Sequence, residues 1–347
     1  MSSEKKNFNI LSTILKYVVP LVISIGLCWL LFTGIDFDEM LAIIREQCDF
    51  RWIAFGFVFA IGAQVCRAYR WQIQLRALGI TPPAYVLVYS IFGTYAVNLV
   101  FPRLGEVWRT GYVAQRQKAP FTTVFGSMVA DRLSDTVAVA LITLFAFAVA
   151  SSAIMSYLHE NGETLSAIAG LLESPWLWSA VAMCVAAVWI LMKIHTSNKA
   201  INMLQAAIKE LWQGFAVIVK MPGKGKWLLL TLGIWTCYFL QLYVSFYAFP
   251  FTAALLAEYG VPAALVTFVL GSLAMGVPSN GGIGPWQWAV IFALGIYGLP
   301  KAEAGAFANL SLGTTTLLTI ALGIFTFAAI AFDKRRFTRH TETQNNR

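Results

Sequence analysis

The sequence predicts an all-α polytopic membrane protein of two inverted repeats, each reading span, span, re-entrant hairpin, span. Three observations carry this. The 347 residues are 58% hydrophobic and only 12% charged, with a mean hydropathy of +0.68, more apolar surface than a soluble core can hide. Residues 98–135, NLVFPRLGEVWRTGYVAQRQKAPFTTVFGSMVADRLSD, place ionisable side chains inside two of the apolar stretches. The Lys and Arg residues gather on one side of the bilayer only if two short apolar segments enter and leave through the same face.

The first span, residues 11–32, follows Lys5 and Lys6 and is too long for a signal-peptide core. Leu27 before Cys28 also spoils a lipoprotein cleavage box, so a retained anchor is expected. The second span covers 52–71, with Arg67, Arg70 and Arg76 at a far end that reads as cytoplasmic. The third apolar segment, 85–101, stops at Pro102, and VWRTGYVAQRQK beyond it is too polar to cross lipid. The fourth, 122–150, carries Asp131, Arg132 and Asp135.

An acidic loop with Glu160, Glu163 and Glu173 follows, then a fifth span over 176–192. In the lysine-rich segment after it, Ile201, Leu204, Ile208, Leu211, Phe215 and Ile218 recur at helical spacing. That pattern predicts an amphipathic helix over 199–220, lying on the membrane with its basic face towards anionic lipid or packed on the protein as a solvated linker. The sixth span covers 227–249; the short pieces 262–277 and 286–297 flank PSNGGIGP; the last span covers 304–332, before Lys334, Arg335, Arg336 and Arg339.

Parity of the crossings decides between spans and hairpins. If 85–101 crossed fully, the lysines of 193–226 would lie outside and the acidic loop inside, against the positive-inside rule. A hairpin over 85–118 entering from the cytoplasm repairs the order. Of the 25 Lys and Arg, Arg132 then sits in a span and only Arg45, Arg51 and Lys301 lie outside. The same reasoning makes 262–298 a hairpin entering from outside. The expected halves are therefore 1–150 and 151–347, of opposite orientation, with both termini cytoplasmic in a bacterial-type cytoplasmic (inner) membrane. Inverted repeats with broken helices form a transporter architecture, because irregular backbone at depth is tolerated only around a protein-lined cavity.

An ionisable group near the bilayer midplane costs at least about 2.5 kcal/mol, so these side chains must face the interior and find partners. At the helix break and within the next span, apart from Arg116 and Lys118 on the polar stretch between them, Arg103, Arg109 and Arg132 balance Glu106, Asp131 and Asp135, with Asn98 beside them. Pro102 and Gly105 break the helix, and arginines flanking the break suit a phosphate. The rival reading is a self-neutralised structural network, since Glu106 and Arg109, and Arg132 and Asp135, are each one helical turn apart. In the second hairpin, Pro278, Ser279, Asn280, Gly281, Gly282, Gly284 and Pro285 form a turn with little side-chain bulk. A helix starting near Trp286 would aim free N–H groups at an anion; the plainer alternative is a turn that merely reverses the chain. Four of the five cysteines fall in spans and Cys48 is alone in its loop, while His159, His195 and His340 are far apart. No disulfide framework, metal site or cofactor is expected. The basic residues flank apolar spans, which argues against nucleic acid.

NLVFPRLGEVWR, the ADRLSD span and GVPSNGGIGPWQW resemble the membrane, flippase-like domain of the lysyl-phosphatidylglycerol synthase family, over nearly the whole chain. The resemblance rests on Pro102, Arg103, Gly105, Glu106, Arg109, Asp131, Arg132 and Asp135 and on the Gly281, Gly282, Gly284 turn. Where the family often has a glutamate after that turn this chain has Gln287, and where an arginine is common in the last span it has Asn309; the two are potential partners. The resemblance implies a lipid flippase. In full-length synthases a separate cytosolic domain makes the aminoacyl lipid, and with the chain ending at Arg347 the expectation is a stand-alone membrane domain without that activity. The expected task is to bind and translocate an anionic phospholipid or polyprenyl-phosphate-linked lipid, with Asn98, Arg103, Glu106, Arg109, Asp131, Arg132, Asp135, Asn280, Gly281, Gly282, Gly284 and Gln287 lining the site. Two alternatives stand beside it. One is a membrane-embedded lipid-modifying transferase using Glu106, Asp131 or Asp135 as base, against which the lack of a nucleotide motif and metal ligands argues. The other is an accessory subunit presenting lipid to a glycosyltransferase.

Overall fold

The computed structural model describes residues 37–149, 221–277 and 279–345, with isolated helical positions between 175 and 205 and side chains as far as Asp333. The anchor expected over 11–32, the acidic loop, the fifth span, the amphipathic helix over 199–220 and Pro278 lie outside the described residues.

The described elements are helical. They are α1 (Phe37–Gln47), α2 (Phe50–Ala77), α3 (Ala84–Val100), α4 (Leu104–Gln117), α5 (Phe121–Val149), α6 (Lys224–Ser245) with a 3-10 turn at Phe246–Ala248, α7 (Pro250–Tyr259), α8 (Val261–Ala274), α9 (Pro285–Ile296) and α10 (Lys301–Asn345). Among the described residues four helices are long and apolar enough to cross a bilayer: α2, α5, α6 with its 3-10 extension, and α10 as far as Asp333. The pair α7 and α8 supplies a fifth if taken together, bent by 113° at Gly260. The chain is therefore a multi-pass membrane protein, as its leucine- and phenylalanine-covered faces on α5 and α10 also require: Leu141, Leu144, Phe145, Leu317 and Ile324 are all exposed.

Two of these elements were not read from the sequence. Helix α1 packs Met40 against Ala306 of α10, and α7 turns the chain between α6 and α8. Helix α2 also runs on past Trp71 to Ala77, which makes Arg67 and Arg70 interior positions of a helix and not its end.

Small residues decide which helices meet. Helices α2 and α6 run antiparallel, and a side chain added at Gly62 would meet Cys237 Sγ at 3.5 Å, just as one at Gly233 would meet Cys66 Sγ at 3.5 Å. This reciprocal fit lets two backbones approach closely where apolar burial gives little drive between helices. Residues 84–117 fold back as the hairpin α3–α4, because Pro102 cannot continue α3 and Arg103 turns the chain in the left-handed region, φ 61°. The two arms touch at Gly105, where a Cβ would lie 2.1 Å from the Thr94 carbonyl oxygen.

The hairpins α3–α4 and α8–α9 open towards opposite ends of the bundle. At one end Arg116 of α4 pairs with Asp333 of α10 and donates to the Tyr85 hydroxyl, and Gly223 lies against Ile73. At the other the Asp49 N–H donates to the Ala248 carbonyl at 2.8 Å. Between those ends the hairpin tips meet: Arg103 Nη2 donates to the Gly276 carbonyl at 2.9 Å, and Leu99 lies over Gly281.

Candidate functional site

The centre of the molecule is a charged cluster built by α2, α4 and α5. Asp131 and Asp135, one turn apart on α5, face Arg67 and Arg70, one turn apart on the antiparallel α2. Arg70 Nε and Nη2 donate to Asp131 Oδ1 at 2.9 and 2.5 Å, and Nη2 also lies 2.8 Å from Asp135 Oδ1. Arg67 Nη1 donates to Asp135 Oδ2 and stands 3.7 Å from Asp131 Oδ2. Burying such charges is tolerable only because each carboxylate is shared between arginines and each guanidinium is backed by other groups. Arg70 lies 5.6 Å from the Trp227 ring and Arg67 6.0 Å from that of Tyr238.

Arg109 is the exception to this close pairing. It is wholly buried on α4, stacked 4.4 Å over the Trp71 ring, and its one acidic contact is Nη2 to Asp131 Oδ2 at 3.4 Å. Its Nε and Nη1 meet no acceptor among the described residues. Trp71 is itself held in place by its indole N–H, which donates to Ser127 Oγ at 3.0 Å.

Towards the outside of the cluster lies Glu106, at the first turn of α4. It takes Arg132 Nη2 at 2.7 Å and Asn98 Nδ2 at 3.1 Å, while Asn98 Oδ1 accepts the Gly105 N–H at 2.8 Å and so ties off the helix break. This pair is open to the surroundings, with 33% of the Arg132 side chain and 18% of that of Glu106 accessible, against none of Asp131. Tyr95 and Tyr238, hydroxyl to hydroxyl at 3.1 Å, bridge α3 to α6 next to Arg67.

Of the residues expected from the sequence, Asn98, Glu106, Arg109, Asp131, Arg132 and Asp135 meet in this one cluster. Arg103 does not. It is exposed at the hairpin tip and spends a donor on the second hairpin. Arg67 and Arg70, read from the sequence as charges at a cytoplasmic helix end, are buried inside the cluster. The four arginines 67, 70, 109 and 132 therefore face the three carboxylates of Glu106, Asp131 and Asp135, one positive charge in excess, where the sequence count had balanced.

The second hairpin also differs from expectation. Three of the N–H groups around the start of α9 are paired: Gln287 Oε1 accepts from Gly284 at 2.9 Å, Trp286 donates to the Gly282 carbonyl at 3.1 Å and Trp288 to that of Gly284 at 3.0 Å. Gly281, Gly282 and Gly284 all have positive φ, and a Cβ at Gly281 would strike Leu99 at 2.6 Å. The glycines thus serve the fit of one tip against the other. Gln287 Nε2 donates to Asn309 Oδ1, and Asn309 Nδ2 reaches the Gly305 carbonyl at 2.8 Å, so the two neutral replacements do form a pair. Asn280 lies at the same tip, its amide oxygen buried.

The sequence profile of the family described as "Lysylphosphatidylglycerol synthase TM region" matches residues 17–323, and the chain belongs to that family. It is also 28% identical over 124 residues to the glycosyltransferase AglD of Haloferax volcanii, a match that takes in 35% of this chain and 20% of that protein. The chain thus spans about a fifth of that relative's length. No solved structure matches it.

Proposed function

We propose that this member of the lysylphosphatidylglycerol synthase TM region family binds a lipid phosphate at the α2, α4 and α5 cluster and carries the lipid across the membrane. The observation behind the proposal is Arg109: a buried guanidinium with two donors unmet, in a cluster carrying one more arginine than carboxylates. A purely structural network would close its charges, because an uncompensated buried ion costs several kcal/mol. An anionic phosphate closes them, and guanidinium groups are suited to hold it. The Arg132 and Glu106 pair, partly open, is the approach to the site. We further read the two hairpins, opening to opposite ends and touching at their tips, as the moving parts of two inverted halves, 1–150 and 151–347. The end bearing Arg116 and Asp333 is taken as cytoplasmic.

The test is reconstitution. Liposomes carrying a fluorescent phospholipid, assayed by external quenching, are expected to show protein-dependent lipid movement that Arg132→Gln abolishes while the variant stays folded. Equal movement by wild type and Arg132→Gln refutes the site. The partial likeness to a glycosyltransferase favours one other reading, an accessory protein that presents lipid to such an enzyme; saturable lipid binding with no movement in any liposome would select it.

A further inference from the structure

We infer that the site selects a phosphodiester, with a single negative charge, over a phosphomonoester or pyrophosphate; this rests on the phosphate-binding reading above and names its ligand class. The position of the excess charge sets this selectivity. The outer pair, Arg132 and Glu106, closes at 2.7 Å, and Arg132 Nη1 lies a further 3.9 Å from Asp135 Oδ2. The inner set holds Arg67, Arg70 and Arg109 against Asp131 and Asp135, so the surplus is one positive charge, and it lies on Arg109, whose carboxylate contact is the most distant of the three at 3.4 Å against 2.5 Å for Arg70. Elsewhere in the described interior the ion pair of Arg116 and Asp333 is balanced, and Arg103 is outside with a carbonyl partner.

One negative charge at Arg109 makes the buried set neutral. A second would be uncompensated in a site that supplies no further free cation among the described residues, and it would also face Glu106. Glu106 and Arg109 lie one turn apart on α4, so an anion held at Arg109 stands within one helical turn of this carboxylate. Glu106 thereby acts as a charge filter as well as the partner of Arg132. A phosphomonoester is close to doubly charged above pH 7, its second pKa lying near about 6, whereas a diester stays at one charge. The diester class has two membrane sources, glycerophospholipids and glycosyl-phosphoryl-polyprenols, which share the headgroup charge and differ in their tails.

The experiment compares matched lipids on the purified full chain at pH 8 by native mass spectrometry with titration. Phosphatidylglycerol is expected to bind about ten-fold or more tightly than phosphatidic acid with the same acyl chains, a discrimination of one decade or about 1.4 kcal/mol. A glycosyl-phosphoryl-polyprenol should likewise exceed polyprenyl monophosphate, and the tighter of the two diesters identifies the source. Glu106→Gln raises the surplus to two charges and should shift the ratio at least about ten-fold towards the monoester. Phosphatidic acid binding as tightly as phosphatidylglycerol to the wild type overturns the charge filter while leaving the phosphate site standing. Binding of none of the four lipids overturns both.

Discussion

Replacing Asp131 by Asn should unfold this protein far more readily than replacing any residue at the mouth of the site. The Asp131 carboxylate is fully buried and takes Arg70 at 2.5 and 2.9 Å, Arg109 at 3.4 Å and Arg67 at 3.7 Å. The amide keeps the shape but not the charge, and the interior surplus rises from one positive charge to two. Removing one member of a buried ion pair costs about 3–5 kcal/mol. At roughly 2–4 °C per kcal/mol, the melting temperature should fall by roughly 6–20 °C. Arg132→Gln provides the contrast, because its pair with Glu106 is partly accessible where Asp131 is wholly buried, so its melting temperature should fall by clearly less. Thermal unfolding in one detergent, followed by tryptophan fluorescence, measures both, and native mass spectrometry of the same samples reads bound lipid. Arg132→Gln should lose lipid with little loss of stability. Asp131→Asn melting within about 2 °C of wild type, or Arg132→Gln falling as far as Asp131→Asn, would refute a buried ion cluster that stabilises the fold.

Gly282→Leu should fold yet lose lipid movement in the liposome assay. Its φ of 88° disfavours a side chain by about 1–2 kcal/mol, and a Cβ would sit 2.4 Å from Met275 Sδ, pushing the second tip away from Leu99 and Arg103. Wild-type rates in the folded variant would show that the tips need not meet. Orientation is checked by single cysteines read with an impermeant maleimide in intact cells: positions 209 and 336 should be protected and 163 labelled, and labelling at 209 would reject the assignment of sides. The native Cys48 should interfere little, because burial and then the Asp49 charge push its thiol up to about 11. It therefore stays protonated at pH 7 and becomes reactive only as the pH climbs towards that value.

Helices Ala84–Val100 and Leu104–Gln117 fall where the sequence places segment 85–118, because Pro102 cannot continue a helix; Gly105, expected to help break it, instead lies inside the second arm and lets that arm approach Thr94. The spans over α2, α5, α6 and α10 were legible for the similar reason that bilayer thickness sets their length. What stayed hidden depends on which helix answers which. Arg67 and Arg70 follow an apolar run in a pattern that an interfacial anchor shares, and only their spacing, matched by Asp131 and Asp135 on another span, hinted at a buried ladder. The donors at the start of α9 looked free because a glutamine three residues on does not announce that it will fold back onto Gly284.

The charge balance is the instructive case. Leaving out Arg116 and Lys118 on the polar stretch between the two apolar segments, Arg103, Arg109 and Arg132 stand against Glu106, Asp131 and Asp135 along residues 98–135, a balance that favours a self-contained structural network. Folding exchanges members of that set: Arg103 leaves for the hairpin tip and the Gly276 carbonyl, while Arg67 and Arg70 arrive from α2. Neutrality along the chain becomes a surplus in space. Because Arg67 and Arg70 lie closer to the aspartates than Arg109 does, the arginine on the hairpin is the one left under-paired. The helix that contributes it begins at the break that Asn98 ties off. A shift of that hairpin would carry Arg109 away from its 3.4 Å contact with Asp131, while the shorter contacts of Arg67 and Arg70 to the aspartates do not depend on α4.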